Sequence, residues 1–407
     1  MSSQNFITGI DLGSGTIRIA VGQIHPDGDL HIIGVAESQS EGVSKGVITS
    51  IEDTVASISH CLEKAERMIG SSIEHAYIGI SGTHIISQES RGVIAISRPD
   101  GEIKEDDVER VLEAAQTVAT PPNYEILHVI PRSFTVDNQP GIKDPVGMTG
   151  IRLEVDTQII LGLSSQVKNL IKCFYRVGVG IDELVFTVLA TAEAVLNKRQ
   201  KELGVAVVNL GNTTTGLVVF EEGDILTAKV LPIGSRHITS DIGIGLRIPL
   251  DLAEIIKLNY GTALPDSISK NEEINLKDLN EHEEGRVSRK QVAEIIEARS
   301  EEIFKLVDKE LQVIGRSGKL PAGIVLTGAG AKLAGLTETA KRIFKLPASI
   351  EYPQGFVSGI DKVYDLSFST AVGLVMWGKA SQRTGPRKTI GLAFGQKIKS
   401  WLKSLLP

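Results

Sequence analysis

The chain of 407 residues contains only two cysteines, Cys61 and Cys173, and no long apolar run. Two cysteines cannot form a disulfide framework or a cysteine-rich metal site, so we expect reduced and partly buried thiols. No uninterrupted apolar segment has the roughly 20 residues that cross a bilayer. The N-terminus lacks the basic and apolar regions of a signal peptide. These absences predict a cytoplasmic protein.

Acidic residues are missing from the end of the chain, because no Asp or Glu follows Asp365. The net charge of −7 argues against general nucleic-acid binding. The charged residues late in the chain are all basic: Lys379, Arg383, Arg387, Lys388, Lys397, Lys399 and Lys403. An acidic body with a basic end predicts an anionic partner for that end.

Two glycine-rich segments share one pattern at a constant offset. Residues 7–21 (ITGIDLGSGTIRIAV) read as a buried strand, a tight turn and a second strand, and residues 205–219 (VAVVNLGNTTTGLVV) repeat them. In such a turn, glycine lets backbone N–H groups approach a charged group, and small hydroxyls add donors. One copy alone would more often be an ordinary hairpin. The repeat predicts two similar domains that share a nucleotide site.

Asp11 ends the first strand of this pattern, and Asn209 stands in the same place in the second copy. A carboxylate at this position is suited to a hydrated Mg²⁺ ion, because hard cations prefer oxygen ligands.

The remaining pattern predicts an α/β protein with an insertion. Apolar spacing predicts a helix from Ile51 to Ile69 between strands. Residues 83–163 read as a small α+β module, with short strands at 85–86, 93–96 and 126–130 and a helix opened by three acidic residues at 105–107. A strand at 184–188 and a helix at 190–196 lead to the second half. Ser288 to Gln291 reads as a capping box that opens the longest helix.

The strand at 323–327 ends in three small residues, Gly328, Ala329 and Gly330. Such a turn lets a flat base or ribose pack against the backbone. It is equally consistent with an ordinary strand-to-helix connection.

The last residues form two faces at helical spacing, after a linker predicted at 381–389. Lys397, Lys399 and Lys403 lie on one face. The other face is apolar and carries Phe394, Ile398, Trp401, Leu402 and Leu405. This pattern predicts a helix in the membrane interface, with lysines at anionic headgroups. The alternative is a helix that docks on a partner or on the body of the protein.

These segments together resemble the actin-like ATPase superfamily and, within it, the FtsA family of bacterial cell division proteins. DLGSGTIRIAVG from Asp11 and NLGNTTTGLVV from Asn209 resemble the two phosphate motifs. GIVLTGAGAKLAGL from Gly323 resembles the adenosine motif, and AEIIKLNYG from Ala253 resembles a segment beside it. GMTGIRLE from Gly147 is similar to the FtsA signature. The glycine motifs fit any superfamily member, whereas the signature and the tail are specific to this family.

The resemblance implies an α/β fold of two actin-like (ribonuclease-H-like) domains, with a small inserted α+β subdomain and a C-terminal amphipathic helix. The first domain would comprise 1–82, 164–203 and 359–380, with 83–163 inserted. The second would comprise 204–232 and 316–358, with 233–315 as its outer subdomain. A linker (381–389) and a membrane-targeting helix (390–407) would follow.

The resemblance also implies the ligands and their residues. ATP would bind at Asp11, Gly13, Ser14, Gly15, Thr16, Gly211, Asn212, Thr213, Thr214, Gly234, Glu254, Lys257, Gly328, Ala329 and Gly330. Mg²⁺ would bind at Asp11 and Asn209, and no residue is assigned as catalytic.

By the same resemblance, the protein would form actin-like filaments and bind anionic lipids through Phe394, Lys397, Ile398, Trp401, Leu402, Lys403 and Leu405. It would tether FtsZ to the cytoplasmic side of the membrane at the septum and bind later division proteins. The acidic and apolar C-terminal peptide of FtsZ would dock at the helix from Ser288, on Arg286, Arg289, Lys290 and Arg299.

Two departures from the family pattern concern hydrolysis. The second phosphate motif usually begins with Asp, but here it begins with Asn209. Where relatives often place Glu or Gln, this chain has Thr187 and Val188. A positioned base typically contributes 10²–10⁴-fold, so we expect ATP binding with slow or absent hydrolysis. The alternatives are a PilM-like pilus assembly component, against which the tail argues, and a superfamily kinase, which would need a catalytic carboxylate.

Overall fold

The computed structural model describes residues 6–280 and 283–383, apart from the side chains of residues 118, 119 and 383. The strands in this part of the chain are β1 Phe6–Leu12, β2 Thr16–Ile24, β3 Leu30–Gln39, β4 Val43–Ser44, β5 Val47–Ile48, β6 His75–Ile80, β7 Ile85–Ala95, β8 Tyr124–Val136, β9 Gln139–Ile142, β10 Arg152–Leu163, β11 Gly180–Phe186, β12 Val205–Leu210, β13 Thr215–Glu221, β14 Asp224–Leu231, β15 Glu273–Asn275, β16 Arg286–Ser288, β17 Ile324–Thr327 and β18 Ala348–Ile350. The α-helices are α1 Ile51–Ile69, α2 Glu105–Ala119, α3 Ser164–Val177, α4 Thr187–Val195, α5 Lys198–Leu203, α6 Ser235–Leu246, α7 Leu250–Tyr260, α8 Arg289–Val313, α9 Leu336–Phe344 and α10 Ser369–Arg383.

Two five-stranded sheets have the same topology. The first has the order β11-β6-β1-β2-β3 and the second the order β18-β17-β12-β13-β14. In each, the central strand pairs antiparallel with the next strand and parallel with a later one. Asp11 lies opposite Arg18, and Asn209 lies opposite Gly216 at the same register. The internal repeat of the sequence is therefore a repeat of structure.

The helices α4 and α10 join the two sheets and cross closely. The chain leaves the first sheet through α4 and returns to it through α10, which packs against β1 and α4. A Cβ atom on Gly373 would lie 1.9 Å from the carbonyl oxygen of Ala190, so only glycine fits at the crossing. The small residues of α10 allow this close packing.

The inserted module has its own sheet and core. Its sheet has the order β7-β10-β8-β9, and α2 packs on it around Val111, Phe134 and Leu153. It lies in sequence between β6 and α3, within residues 83–163 that the sequence predicts to form a small α+β module. Lys143 of the module pairs with Asp224 of β14 at 2.6 Å, so the module also touches the second half of the molecule.

A second insertion lies between β14 and β17 and carries α6, α7, α8 and the β15–β16 ribbon. Its longest helix begins as predicted, because the Ser288 hydroxyl accepts a hydrogen bond from the Gln291 N–H at 3.3 Å. Such a cap stabilises a helix by about 0.5–2 kcal/mol.

The structure corrects two predicted elements. The strand predicted to reach Val188 ends at Phe186, and Thr187 begins α4. Since all but one residue of α4 are buried, it shows no amphipathic period that would mark its start. The two strands predicted at 85–86 and 93–96 are one strand, β7, whose middle residues are polar and partly exposed.

The remaining expectations concern the cysteines and the end of the chain. Cys61 and Cys173 are both free and fully buried. Helix α10 continues to Arg383 and so includes the first three residues of the predicted linker. The predicted membrane-targeting helix at 390–407 lies outside the described residues. Across 6–280 and 283–383, no helix combines the length and apolarity needed to span a bilayer.

Candidate functional site

A cleft of about 630 Å³ lies between the two sheets, and the two glycine turns enter it from opposite sides. The predicted residues that line it are Asp11, Gly13, Ser14, Gly15, Thr16, Asn209, Gly211, Asn212, Thr214, Glu254, Lys257, Gly328, Ala329 and Gly330. Two predicted residues, Thr213 and Gly234, are not part of its lining. The repeat in the sequence therefore predicts the position of the cleft well.

The two turns touch each other at the base of this cleft. A Cβ atom on Gly15 would lie 2.3 Å from the Asn212 Nδ2 atom, so a side chain at position 15 would displace Asn212. Bare backbone at this contact leaves N–H groups accessible to an anion between the two sheets.

The turn between β4 and β5 forms a hydrogen bond with each of the two glycine turns. Lys45 and Gly46 join β4 to β5 with positive φ angles of 50° and 75°, as a two-residue hairpin turn requires. The Lys45 N–H donates to the Thr213 hydroxyl at 3.2 Å, and the Gly46 N–H donates to the Ser14 hydroxyl at 3.1 Å. Thr213 therefore contributes to the closure of the cleft and not to its lining.

Gly234 supports the second turn from behind. A Cβ atom there would lie 2.7 Å from the Asn212 carbonyl oxygen and 2.8 Å from the Thr214 nitrogen. The next N–H groups, of Ser235 and Arg236, donate to the carbonyl oxygens of Gly211 and Asn212 at 2.9 and 2.8 Å. The start of α6 thus fixes the backbone of the second turn.

Asp11 is the acidic residue beside the two glycine turns. Burial raises the pKa of its carboxyl group to about 6, although the Arg18 guanidinium opposes this shift. At pH 7 the carboxyl group is about nine-tenths ionised at that pKa. A cation in the cleft would favour the ionised form further, because opposite charges stabilise each other at close range.

Asn209 belongs to a buried network of hydroxyl groups. Its Nδ2 atom donates to the Thr191 and Thr370 hydroxyls at 3.1 and 3.2 Å. Thr191 donates its single hydroxyl proton to the Thr187 carbonyl oxygen at 2.8 Å, and the Thr191 and Thr370 oxygens lie 2.9 Å apart. Thr370 therefore donates to Thr191, and both hydroxyl oxygens accept from the amide at position 209. A carboxylate at this position could not donate, so these two bonds would be lost.

Glu254 and Lys257 lie one turn apart on α7, at another part of the wall. The Lys257 ammonium group is buried and donates to Glu254 Oε2 at 2.7 Å and to the Thr239 hydroxyl at 2.9 Å. Thr239 also donates to the Glu254 carboxylate. The three groups satisfy one another and hold the Glu254 carboxylate at the edge of the cleft.

The small-residue turn after β17 forms part of the wall as a short 3₁₀-helix, Ala329–Lys332. A Cβ atom on Gly328 would lie 2.2 Å from Asn209 Oδ1, and one on Gly330 would lie 2.7 Å from Leu210 Cγ. Both functions considered for this turn are compatible with its position, because it connects a strand to a helix and also offers a flat surface to the cleft.

Sequence reasoning missed several lining residues, including Arg18, Lys332 and Thr370. Arg18 pairs with Glu37 at 3.3 Å, and Lys332 pairs with Asp365 at 2.6 Å. Arg18 and Lys332 lie inside two of the glycine-rich motifs quoted above, and Arg18 could have been found from its position opposite Asp11 in the hairpin. Thr370 lies outside those motifs and reaches the cleft on α10.

The lining defines the chemistry that the cleft offers. Among the described residues that line it, Asp11 and Glu254 are the only carboxylates, and none is a histidine. A carboxylate, backbone N–H groups, hydroxyls and two lysines suit an anionic ligand with a hard divalent cation. Thr187, at the first turn of α4, offers a hydroxyl in place of a base.

Comparisons with known proteins now identify the family. A family model described as "SHS2 domain inserted in FTSA" matches residues 82–161, and one described as "Cell division protein FtsA" matches residues 206–373. The cell division protein FtsA of Pseudomonas aeruginosa is 38% identical over 385 residues, covering 95% of this chain and 92% of the relative. That of Borreliella burgdorferi is 37% identical over 407 residues, covering 98% of each. This chain belongs to the FtsA family.

Solved structures show that this chain shares its fold with several actin-like proteins. A chain of the PilM–PilN type IV pilus biogenesis complex has a TM-score of 0.66 at 14% identity, covering 92% of this chain and 99% of that one. MreB5 of Spiroplasma citri bound to ADP has a TM-score of 0.55 at 13% identity, covering 93% and 98%. The predicted actin-like fold with an inserted α+β module is confirmed. The PilM likeness concerns the fold alone.

The basic residues predicted to bind FtsZ cluster at the start of α8, except for one. Arg286 pairs with Glu273 at 3.3 Å, and Arg289 pairs with Glu272 at 2.8 Å. Arg299 lies farther along α8, paired with Asp241 and Glu302 at 2.5 and 2.6 Å. Within residues 6–280 and 283–383, Lys290 has no ion-pair partner.

Proposed function

We propose that this member of the FtsA family binds ATP with Mg²⁺ in the cleft, assembles with its own copies into actin-like filaments, and tethers FtsZ to the membrane at the division septum. The observation that carries the proposal is the pair of glycine turns that meet in one cleft beside Asp11. The fold likeness to MreB5, a protein solved with ADP, supports a nucleotide as the ligand.

Each part of the cleft has a role in this proposal. The turns at Gly13–Thr16 and Gly211–Thr214 would hold the phosphates, and Glu254, Lys257 and the turn from Gly328 to Gly330 would hold the adenosine. Asp11 would hold the Mg²⁺ ion, with Asn209 as a weaker neutral ligand. The ion would supply positive charge that balances the phosphates.

Hydrolysis is proposed to be slow or absent. Asn209 cannot act as a base, and its amide is bound by Thr191 and Thr370. Single-turnover phosphate release tests this point. We expect release that is slow compared with nucleotide binding, and fast release would overturn it.

The FtsZ peptide is proposed to dock on Arg286, Arg289, Lys290 and Arg299. Lys290 is the most important of the four, because it forms no ion pair with any described residue and so loses none when an acidic peptide binds. Binding of the FtsZ C-terminal peptide to Lys290→Glu should be weaker by about tenfold or more. Lys309→Glu, on the same helix, is the control. The docking assignment would be wrong if the FtsZ peptide bound Lys290→Glu, and the charge reversals of Arg286, Arg289 and Arg299, as tightly as the unaltered protein.

The tail from Phe394 to Leu405 is proposed to hold the protein on the cytoplasmic side of the membrane, where later division proteins join. Co-sedimentation with anionic liposomes, with and without ATP, compares the full chain with one that ends at Arg383. We expect only the full chain to pellet, and ATP to promote ordered arrays. Equal pelleting of both chains would instead make the tail a docking helix and favour a PilM-like binding component.

A further inference from the structure

The hairpin between β2 and β3 carries two histidines and an aspartate that the nucleotide cleft does not use. Its sequence is His25-Pro26-Asp27-Gly28-Asp29-Leu30-His31. Strand β2 begins at the cleft with Thr16 and ends just before His25. At about 3.3 Å per residue, this places the hairpin roughly 25–30 Å from the cleft, at the far end of the first sheet.

The three side chains converge. His25, Asp27 and His31 each offer one ligand atom, and these atoms all lie within 4.8 Å of one another. The two imidazole rings are stacked, with centroids 3.8 Å apart and an angle of 22° between planes. Within the described residues, the ring nitrogens of this pair have no hydrogen-bond partner. Two solvent-accessible imidazoles therefore present free nitrogens beside a carboxylate.

The backbone of the hairpin fixes this arrangement. The His25 N–H donates to the Asp29 carbonyl oxygen at 2.9 Å, and the Gly28 N–H donates to the His25 carbonyl oxygen at 2.8 Å. The Asp29 N–H donates to Asp27 Oδ1 at 2.9 Å, which orients the carboxylate. The backbone of the hairpin therefore holds the three residues close together before any ion binds.

A neighbouring segment secures the outer edge of the hairpin. The Ile32 N–H donates to the Val357 carbonyl oxygen at 2.9 Å, and the Val357 N–H donates to the Leu30 carbonyl oxygen at 2.8 Å. An ion held by the hairpin would therefore also restrain residues near Val357.

The local charge favours a cation. Residues 23–33 contain Asp27 and Asp29 but no Lys or Arg. In the part of the chain that the structure describes, neither aspartate forms an ion pair. Two imidazoles and one carboxylate are ligands that Zn²⁺ and similar transition metals prefer, whereas Mg²⁺ prefers oxygen. The site thus differs in chemistry from the cleft.

We propose that His25, Asp27 and His31 form a binding site for Zn²⁺ or a similar divalent transition metal, with one coordination position open to water. Bonds of about 2.0–2.1 Å to a tetrahedral ion require the ligand atoms to approach more closely than 4.8 Å. The two rings, one exposed and one half-buried, reach this geometry by rotating out of their stack. The bound ion then joins β2 to β3 and stiffens the edge that contacts Val357.

Metal titration of the full chain, free of any polyhistidine tag and stripped with chelator, tests the site. We expect one equivalent of Co²⁺ to produce the visible absorption of a four-coordinate ion, and Zn²⁺ to displace it. Loss of a residue that hydrogen-bonds to a metal ligand weakens metal affinity about 10–100-fold. Loss of the ligand itself should weaken it at least as much. His25→Gln and His31→Gln should therefore each weaken binding at least about tenfold, and Asp27→Asn should do so by a smaller factor.

Two controls separate this site from other effects. His60→Gln removes an exposed histidine of α1 outside the cluster and should leave binding unchanged. The affinity of His25→Gln/His31→Gln for ATP should equal that of the unaltered protein, because the cleft is distant.

Zn²⁺ should also slow hydrogen exchange at residues 25–32 and 357. Binding of less than one equivalent, or full binding in the double variant, would overturn the proposal.

Discussion

The two glycine turns have the same backbone register but opposite chemistry at the end of their first strands. Asp11 is an ionisable group whose pKa burial raises to about 6. Asn209 is a neutral donor committed to Thr191 and Thr370. The comparison teaches that the repeat preserves the geometry of the turns while the surrounding side chains decide the charge.

The residue opposite each position explains the difference. Arg18 lies opposite Asp11 and stabilises its ionised form. Gly216 lies opposite Asn209, and a Cβ atom there would lie 2.5 Å from Val188 Cγ1. Helix α4 therefore occupies the space in which a counterpart of Arg18 would stand. An acid at position 209 would lack the cross-strand arginine that accompanies Asp11.

The largest effect is expected from Asp11→Asn, which makes the first turn chemically similar to the second. Loss of the carboxylate should remove most of the gain in ATP affinity that Mg²⁺ provides, about 100-fold, since interactions with a charged group contribute about 1.5–3 kcal/mol. Titration with ATP in Mg²⁺ and in chelator measures this gain. Glu254→Gln is the control that should retain it. A full Mg²⁺ effect in Asp11→Asn would place the ion elsewhere.

The reciprocal change, Asn209→Asp, should destabilise the fold by about 1–3 kcal/mol, because two buried hydroxyls lose their donor. Burial without a cross-strand arginine should raise the pKa of the new carboxyl group above its unfolded value. The loss should therefore be largest at neutral pH and smaller below about pH 4. The urea midpoint at pH 7.5 and at pH 4 measures it. Asn259→Asp, at an exposed position of α7, should shift the midpoint little at either pH.

A tenfold effect is expected from pH. Since the pKa of Asp11 is about 6, the carboxyl group must release a proton to hold a cation below that pH. Affinity for Mg²⁺–ATP should therefore fall by up to about tenfold per unit below pH 6. The affinity of Asp11→Asn should change with pH only through the titration of ATP and other groups. Subtracting its pH profile from that of the unaltered protein therefore gives the contribution of Asp11. Parallel pH profiles for the two proteins would contradict it.

The smallest effect concerns the hydroxyls that contact the β4–β5 turn. Ser14 lines the cleft and Thr213 does not, although each accepts one N–H of that turn. A hydrogen bond contributes about 0.5–1.5 kcal/mol, so Ser14→Ala should weaken ATP binding about two- to tenfold. Thr213→Ala should change it less than about twofold. Equal losses would show that closure by this turn, and not direct contact, governs affinity.

The sequence predicts those parts of the site that depend on local backbone. The glycine turns and the position of Asp11 follow from one repeat, whereas Glu254 and Lys257 were assigned through the family resemblance of a short segment. The network around Asn209 does not, because Thr191 and Thr370 come from helices distant in sequence. The predicted start of helix α4 was also wrong, because a helix that is buried on nearly all sides has no polar face to mark where it begins. Pairing of Arg286, Arg289 and Arg299 with local acids likewise depends on contacts that spacing does not reveal.

The crossing of α4 and α10 at Gly373 has a mechanical consequence. Both helices begin at the cleft, with Thr187 and Thr370 in its wall. They pack closely where Gly373 meets the backbone of Ala190. The absence of a side chain at position 373 therefore sets how near the two helices can lie. A methyl group there would push them apart and would change the shape of the cleft whose wall both helices form.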